Sequence, residues 1–151
     1  MLLRTMLLIA LVFSSLLSKS QNEDSLVFST YYYDGGTKSS EGFLKNGQPE
    51  GYWKSFYPNG QIKTEGNREN YLLDGPWIFY SEEGKKVVEI TYKAGKKNGP
   101  RKSYENEKLN RLDNYQDDKI EGFSEQYFPD GKLKREIPYK NDKKEGQGFE
   151  F

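Results

Sequence analysis

Neither histidine nor cysteine occurs anywhere in the 151 residues. Without imidazole there is no ordinary general base near neutral pH. Without thiols there is no cysteine nucleophile, no disulfide and no zinc site of the usual ligand types. Helical periodicity is missing too. Beyond residue 20 no window places apolar residues at helical spacing, and glycine recurs roughly every nine to fifteen residues, too often for helices of ordinary length. There is no excess of either charge, with 23 basic and 23 acidic residues. Setting aside Arg4 and Lys19 leaves 21 basic against 23 acidic residues, and no basic stripe stands out, so nucleic acid is not expected as a partner. Hydrophobic residues make up only 34% of the chain, yet aromatics supply 15%, with 12 Tyr and 9 Phe. Disordered chains are poor in aromatics and keep no register, and this chain keeps one.

The amino end is read first as an address. Arg4 precedes an apolar run from Met6 to Leu17, followed by Ser18-Lys19-Ser20. The run is shorter than the ~20 residues of a membrane-spanning helix, and small residues stand before a cut between Ser20 and Gln21. Residues 1–20 are therefore expected to be a signal peptide, with an uncleaved anchor helix as the alternative. Residues 21–26 follow as a short linker to a domain over 27–151. The protein is then expected outside the cytoplasm, in the periplasm, at the cell surface or secreted. No cysteine follows the run, so a lipid-anchored lipoprotein is not expected.

What the sequence does contain is a repeat. Gly51-Tyr52-Trp53-Lys54-Ser55-Phe56-Tyr57-Pro58-Asn59-Gly60 is echoed 24 residues later by Gly75-Pro76-Trp77-Ile78-Phe79-Tyr80-Ser81-Glu82-Glu83-Gly84. The opening glycine returns at Gly99, Gly122 and Gly146, and Tyr32, Gly36 and Glu41 continue the register backwards. About five units of 23–24 residues result, beginning near 27, 51, 75, 99 and 122. A fixed period of this length marks a repeat architecture in which stacked units bury one another.

Each unit reads as a β-hairpin. An aromatic-rich run, such as Tyr52 to Tyr57, leads into Pro58-Asn59-Gly60 and an alternating run from Gln61 to Arg68; Pro129-Asp130-Gly131 plays the same part in unit five. The three turn residues predict a three-residue loop that sets Tyr57 opposite Gln61 and Phe56 opposite Ile62. The fold class expected is all-β: one twisted, single-layer antiparallel meander of hairpins with about ten strands. Strict alternation along each strand then places Tyr52, Phe56, Ile62, Thr64, Ile78, Tyr80, Val88, Ile90 and Tyr92 on an apolar face. Lys63, Glu65 and Glu89 fall on an opposite, charged face together with Trp53, Tyr57, Trp77 and Phe79. In unit five, Phe123, Tyr127, Leu133, Ile137 and Tyr139 are set against Lys134, Glu136 and Phe128.

The spacing of Gly, Trp, Tyr, Asn-Gly, Lys, Glu and Tyr resembles the MORN repeat variant of bacterial proteins, many grouped as the YwqK family of presumed antitoxins. The resemblance spans residues 27–151 and is closest over 51–74, 75–98 and 122–145. It weakens in unit one and in unit four, where Arg101 stands in the Trp position, Lys108 replaces the turn glycine and one residue is missing. It implies a hairpin sheet used for binding and brings no catalytic residues.

An enzyme is the least expected class, and no cofactor or metal is expected. Carboxylates are the only acid or base candidates left. Asp117-Asp118 and Glu82-Glu83 fall in turns as solvated pairs, and the run from Asp113 to Asp118 lacks the glycine and distal Glu of an EF-hand loop. The ladder Tyr32, Phe56, Tyr80, Tyr104 and Tyr127 reads as core. Trp53 and Trp77, widened by Tyr57 and Phe79, form the candidate binding patch, since large rings among polar neighbours suit a partner surface or a sugar; covering a lysine stem or a glycine is the alternative. Two functions follow. One is a scaffold that binds a protein partner, neutralising a secreted toxin being one form of it. The other is a cell-wall or glycan-binding module. An envelope lipid is a third partner class, without the basic amphipathic stretch that would favour it.

Overall fold

The computed structural model describes residues 25–151. The expected leader, 1–20, and linker residues 21–24 lie outside the described residues. The described chain is all strand and turn: β1 (Val27–Tyr32), β2 (Lys38–Lys45), β3 (Gln48–Phe56), β4 (Ile62–Glu69), β5 (Leu72–Tyr80), β6 (Lys86–Lys93), β7 (Lys96–Glu105), β8 (Lys108–Gln116), β9 (Lys119–Tyr127), β10 (Leu133–Lys140), β11 (Lys143–Lys144) and β12 (Phe149–Glu150). Strands β1 to β11 pair in sequence order, all antiparallel, and β12 adds to β10. The all-β single-sheet meander is thus as expected, with two short strands added at the carboxyl end.

Two kinds of turn alternate. Within a unit the loop has three residues: Tyr57 N–H donates to Gln61 O at 2.8 Å and Gly60 N–H to Tyr57 O at 2.9 Å. Gly60 sits at φ 87°, a left-handed geometry that costs glycine least. The Tyr33, Ser81 and Phe128 turns repeat these bonds. Between units the turn has two residues, both left-handed, as at Asn70 and Tyr71 with φ 51° and 67°. Unit four uses this shorter form inside its hairpin as well: Glu105 pairs with Lys108 across Asn106 and Glu107, which absorbs the missing residue. Side-chain carboxylates pin these turns, for Glu50 accepts the N–H groups of Asn70 and Tyr71 at 3.1 and 2.7 Å.

The expected division of side chains between the faces is corrected. The loop length is as predicted, with Phe56 opposite Ile62, but the next pair is Ser55 with Thr64. One extra residue, Lys63, makes a β-bulge, and from there the alternation of β4 is shifted by one position relative to β3. The same shift follows the Phe79–Val88 pair. As a result Tyr52, Ile78 and Tyr80 share a face with Glu65 and Glu89, whereas Val88, Ile90 and Tyr92 lie with Trp53, Trp77 and Phe79. Unit five is mixed in the same way: Ile137 and Tyr139 leave the side of Phe123, Tyr127 and Glu136.

Two rows of registered neighbours cross the sheet. On the tryptophan face the row is Gly42, Trp53, Gly66, Trp77, Ile90, Arg101, Asp113, Ser124 and Ile137. The deepest burial is here: Trp77 and Ile90 are each 4% exposed and Asp113 1%. Opposite them, on the tyrosine face, run Glu41, Lys54, Glu65, Ile78, Glu89, Lys102, Leu112, Glu125 and Glu136. With one layer only, burial comes from side chains lying flat on their own sheet.

Candidate binding face

Glycine makes that flat packing possible. A Cβ built on Gly66 would stand 2.4 Å from the Trp77 ring, and one on Gly42 would stand 2.3 Å from the Trp53 ring. Each indole therefore lies on the backbone of the preceding strand. The Trp77 indole N–H donates to Asn67 O at 2.8 Å, and the Arg68 guanidinium sits 5.6 Å from the ring centre on the same face. Trp53 packs beside Tyr31 with ring centres 6.3 Å apart.

The four candidate residues do share one face, but it is the face that carries the core row and not the charged face opposite it. Trp77 is buried there, and Trp53 is half-buried. Tyr57 and Phe79 open instead onto a shallow groove of ≈ 460 Å³, floored by Val87, Val88, Ile90 and Tyr92 and bordered by Lys63, Lys97 and Arg101. Lys63 lies 5.6 Å from the Tyr57 ring centre and Lys97 lies 5.1 Å from that of Tyr115. The Tyr57 hydroxyl donates to Tyr80 O at 2.8 Å, which holds the ring between units two and three. Among the described residues no carboxylate lines the groove. Its cations and its valine floor were not legible in the sequence, because the bulges turn Lys63 and Val87 onto the same side as their neighbours Thr64 and Val88; a doubled β-branched pair after a turn glycine was the available signal.

Arg101 also reaches away from the groove. Its guanidinium donates to Ser103 Oγ at 2.7 Å and lies 3.6 Å from Asp113, which accepts from Arg111 at 2.9 Å. The carboxylate is thus buried between two cations, which is how a charge persists inside a packed row.

The tyrosine face has a different chemistry. Glu65 accepts from the hydroxyls of Tyr52 at 2.8 Å and Tyr80 at 2.6 Å, with Lys54 at 3.6 Å. Burial resists ionisation of Glu65, but the two hydroxyls and Lys54 outweigh it and hold its carboxyl below the ordinary range. Burial first, then the bond to Glu65, pushes both tyrosines up to about 12. Glu89 is held low against burial by Lys86 and Lys102. These groups satisfy one another. Asp118, for its part, accepts the Lys97 N–H at 2.9 Å as a turn staple. Among the described residues no group of three metal-ligating side chains gathers.

Residues 49–70, 73–94 and 121–141 each match the MORN repeat variant. These segments are the β3–β4, β5–β6 and β9–β10 hairpins with their adjoining turns. Such repeats are generally modules that bind proteins or membranes. No curated protein matches the chain.

Proposed function

We propose that this protein is a non-enzymatic binding scaffold, exported from a bacterial cell, that receives a protein partner in the groove between units two and three. The observation that supports the reading is the lining itself: an apolar floor under Tyr57 and Phe79, three cations at the border and, among the described residues, no carboxylate. Such a site favours an apolar or aromatic anchor flanked by acidic residues, with the anchor supplying affinity and the charges the approach and orientation. A secreted toxin held this way would be neutralised, which is the antitoxin-like form of the role. Export is tested by mass spectrometry of the protein from the cell envelope, where a new amino terminus at Gln21 is expected and a retained Met1–Leu17 segment would reject it.

The partner is tested by affinity capture from the native envelope fraction with the parent protein and with Lys63→Glu plus Lys97→Glu. Among the described residues neither lysine has a carboxylate partner, so the double variant is expected to keep its fold while losing an acidic protein partner. A ligand that survives the charge reversal but is lost on Tyr57→Ala with Phe79→Ala, and that is retained by purified cell wall, would favour the glycan-binding reading instead.

A further inference from the structure

The two ends of the sheet are finished differently. At the carboxyl end β10 carries Pro138 and several charges, and it is covered by the chain's own return: β11 pairs at Tyr139–Lys140 and β12 at Arg135–Glu136. Proline, charge and a covering segment are the usual devices that stop an edge strand from pairing further. At the amino end β1 has none of them among the described residues. Its sequence, Val-Phe-Ser-Thr-Tyr-Tyr, makes it the only one of the twelve described strands without a charged side chain. No described residue pairs with its outer edge.

That edge is self-complementary. Tyr33 N–H donates to Thr37 O inside the hairpin, so by the alternation of an antiparallel ladder Phe28, Thr30 and Tyr32 direct their N–H and C=O groups outward. About a two-fold axis at Thr30, Phe28 of one copy stands opposite Tyr32 of the other, and Thr30 opposite Thr30. The three outward residues of each copy then exchange about six backbone hydrogen bonds. Opposed residues share a face, so Phe28 and Tyr32, 56% and 63% exposed, would meet as cross-strand aromatic pairs. Phe28 already packs edge-on against Phe43, with ring centres 5.3 Å apart, so each new pair extends an aromatic cluster that exists. Asp34 would fall opposite Leu26, and no like charges meet.

We infer that the protein is a homodimer in which β1 of two copies pairs antiparallel about Thr30, joining two sheets into one. Pairing is isologous and closes on itself, because the other edge of each copy is capped.

The test uses the full chain as purified from its cells and reads mass by sedimentation equilibrium. The parent protein is expected at twice the single-chain mass, and a monomer at all concentrations would overturn the inference. Thr30→Pro deletes an N–H that points away from β2, so the hairpin is kept while two of the six interchain bonds go; the dissociation constant should rise at least about tenfold with an unchanged circular dichroism spectrum. An unaltered dimer would overturn the pairing. Register is tested separately. Phe28→Lys alone and Tyr32→Glu alone should each weaken the dimer, whereas the two together place opposite charges face to face across the axis and should restore it. A doubly substituted chain that stays monomeric, or a dimer indifferent to all three changes, would show association through some other surface.

Discussion

The tryptophan-face row closes in two ways along one backbone. Through Gly66, Trp77 and Ile90 it is closed by an indole ring laid on a glycine. Three strands further on, at Arg101, Asp113 and Ser124, it is closed by a carboxylate held between the guanidiniums of Arg101 and Arg111. The row of registered neighbours runs unbroken through both stretches, so the repeat prescribes a volume to be filled and not the chemistry of the filler. The aromatic solution gains dispersion and desolvation without polar cost. The ionic solution withstands burial only while every charge keeps its partner. This contrast also places the groove, which lies over units two and three, where the floor is apolar, and gains its cationic border where Arg101 begins the polar stretch.

The sharpest way to break the comparison is to empty each half. Trp77→Ala should cost about 3–5 kcal/mol in urea unfolding, since the ring fills a site that a single-layer sheet cannot close by collapse. A loss under about 1 kcal/mol would remove the indole from the core. Asp113→Ala should cost somewhat less, about 2–3 kcal/mol, because it leaves two guanidiniums facing each other but both are about one-third exposed to water. Substituting Asp113 at no cost would mean that the polar half is held by its backbone ladder alone.

Smaller effects belong to the opposite face. Tyr80→Phe removes one of the hydroxyls on Glu65 and should cost about 1–2 kcal/mol near neutral pH. The sign with pH follows from Glu65, whose folded carboxyl is held below its unfolded value. Its contribution is present above the ordinary carboxylate range and is lost as pH falls through the folded value, so Tyr80→Phe should flatten the acid limb of the stability profile. Tyr52, Tyr80 and Tyr127, pushed up to about 12 from 10.0, contribute stability that is complete below pH 10 and lost as pH rises toward about 12. Denaturant midpoints across both ranges test this, and a profile unchanged by Tyr80→Phe in acid would detach Glu65 from stability. Least of all, Lys54→Ala should cost about 0.2–1 kcal/mol, the value of a partly exposed ion pair at 3.6 Å, with salt reducing it further.

Much of the fold was legible from residues alone. The recurring Gly-x-Trp spacing sets the period, and Pro58-Asn59-Gly60 identifies the three-residue loop that the Tyr57–Gln61 bonds display. Of the candidate patch, the common face of Trp53, Tyr57, Trp77 and Phe79 was legible, because within each strand these residues are two or four apart. Its relation to the charged residues was not. A bulge adds one residue at Lys63 or Val87 and reverses every assignment after it, and the doubled valine that accompanies it at Val87-Val88 has no counterpart at Lys63-Thr64.

By itself, then, the sequence determined the period, the hairpins, the antiparallel order and the lengths of the regular loops, because turn chemistry and alternation act over a few neighbouring residues. The tertiary structure alone decided which side chains share a face, that Trp77 lies buried on Gly66 while Phe79 faces a groove, and that β10 is covered by the chain's return while, among the described residues, none pairs with the outer edge of β1. Those outcomes depend on the register between strands and on which segment returns to which edge, and both are settled by contacts between residues distant in the chain.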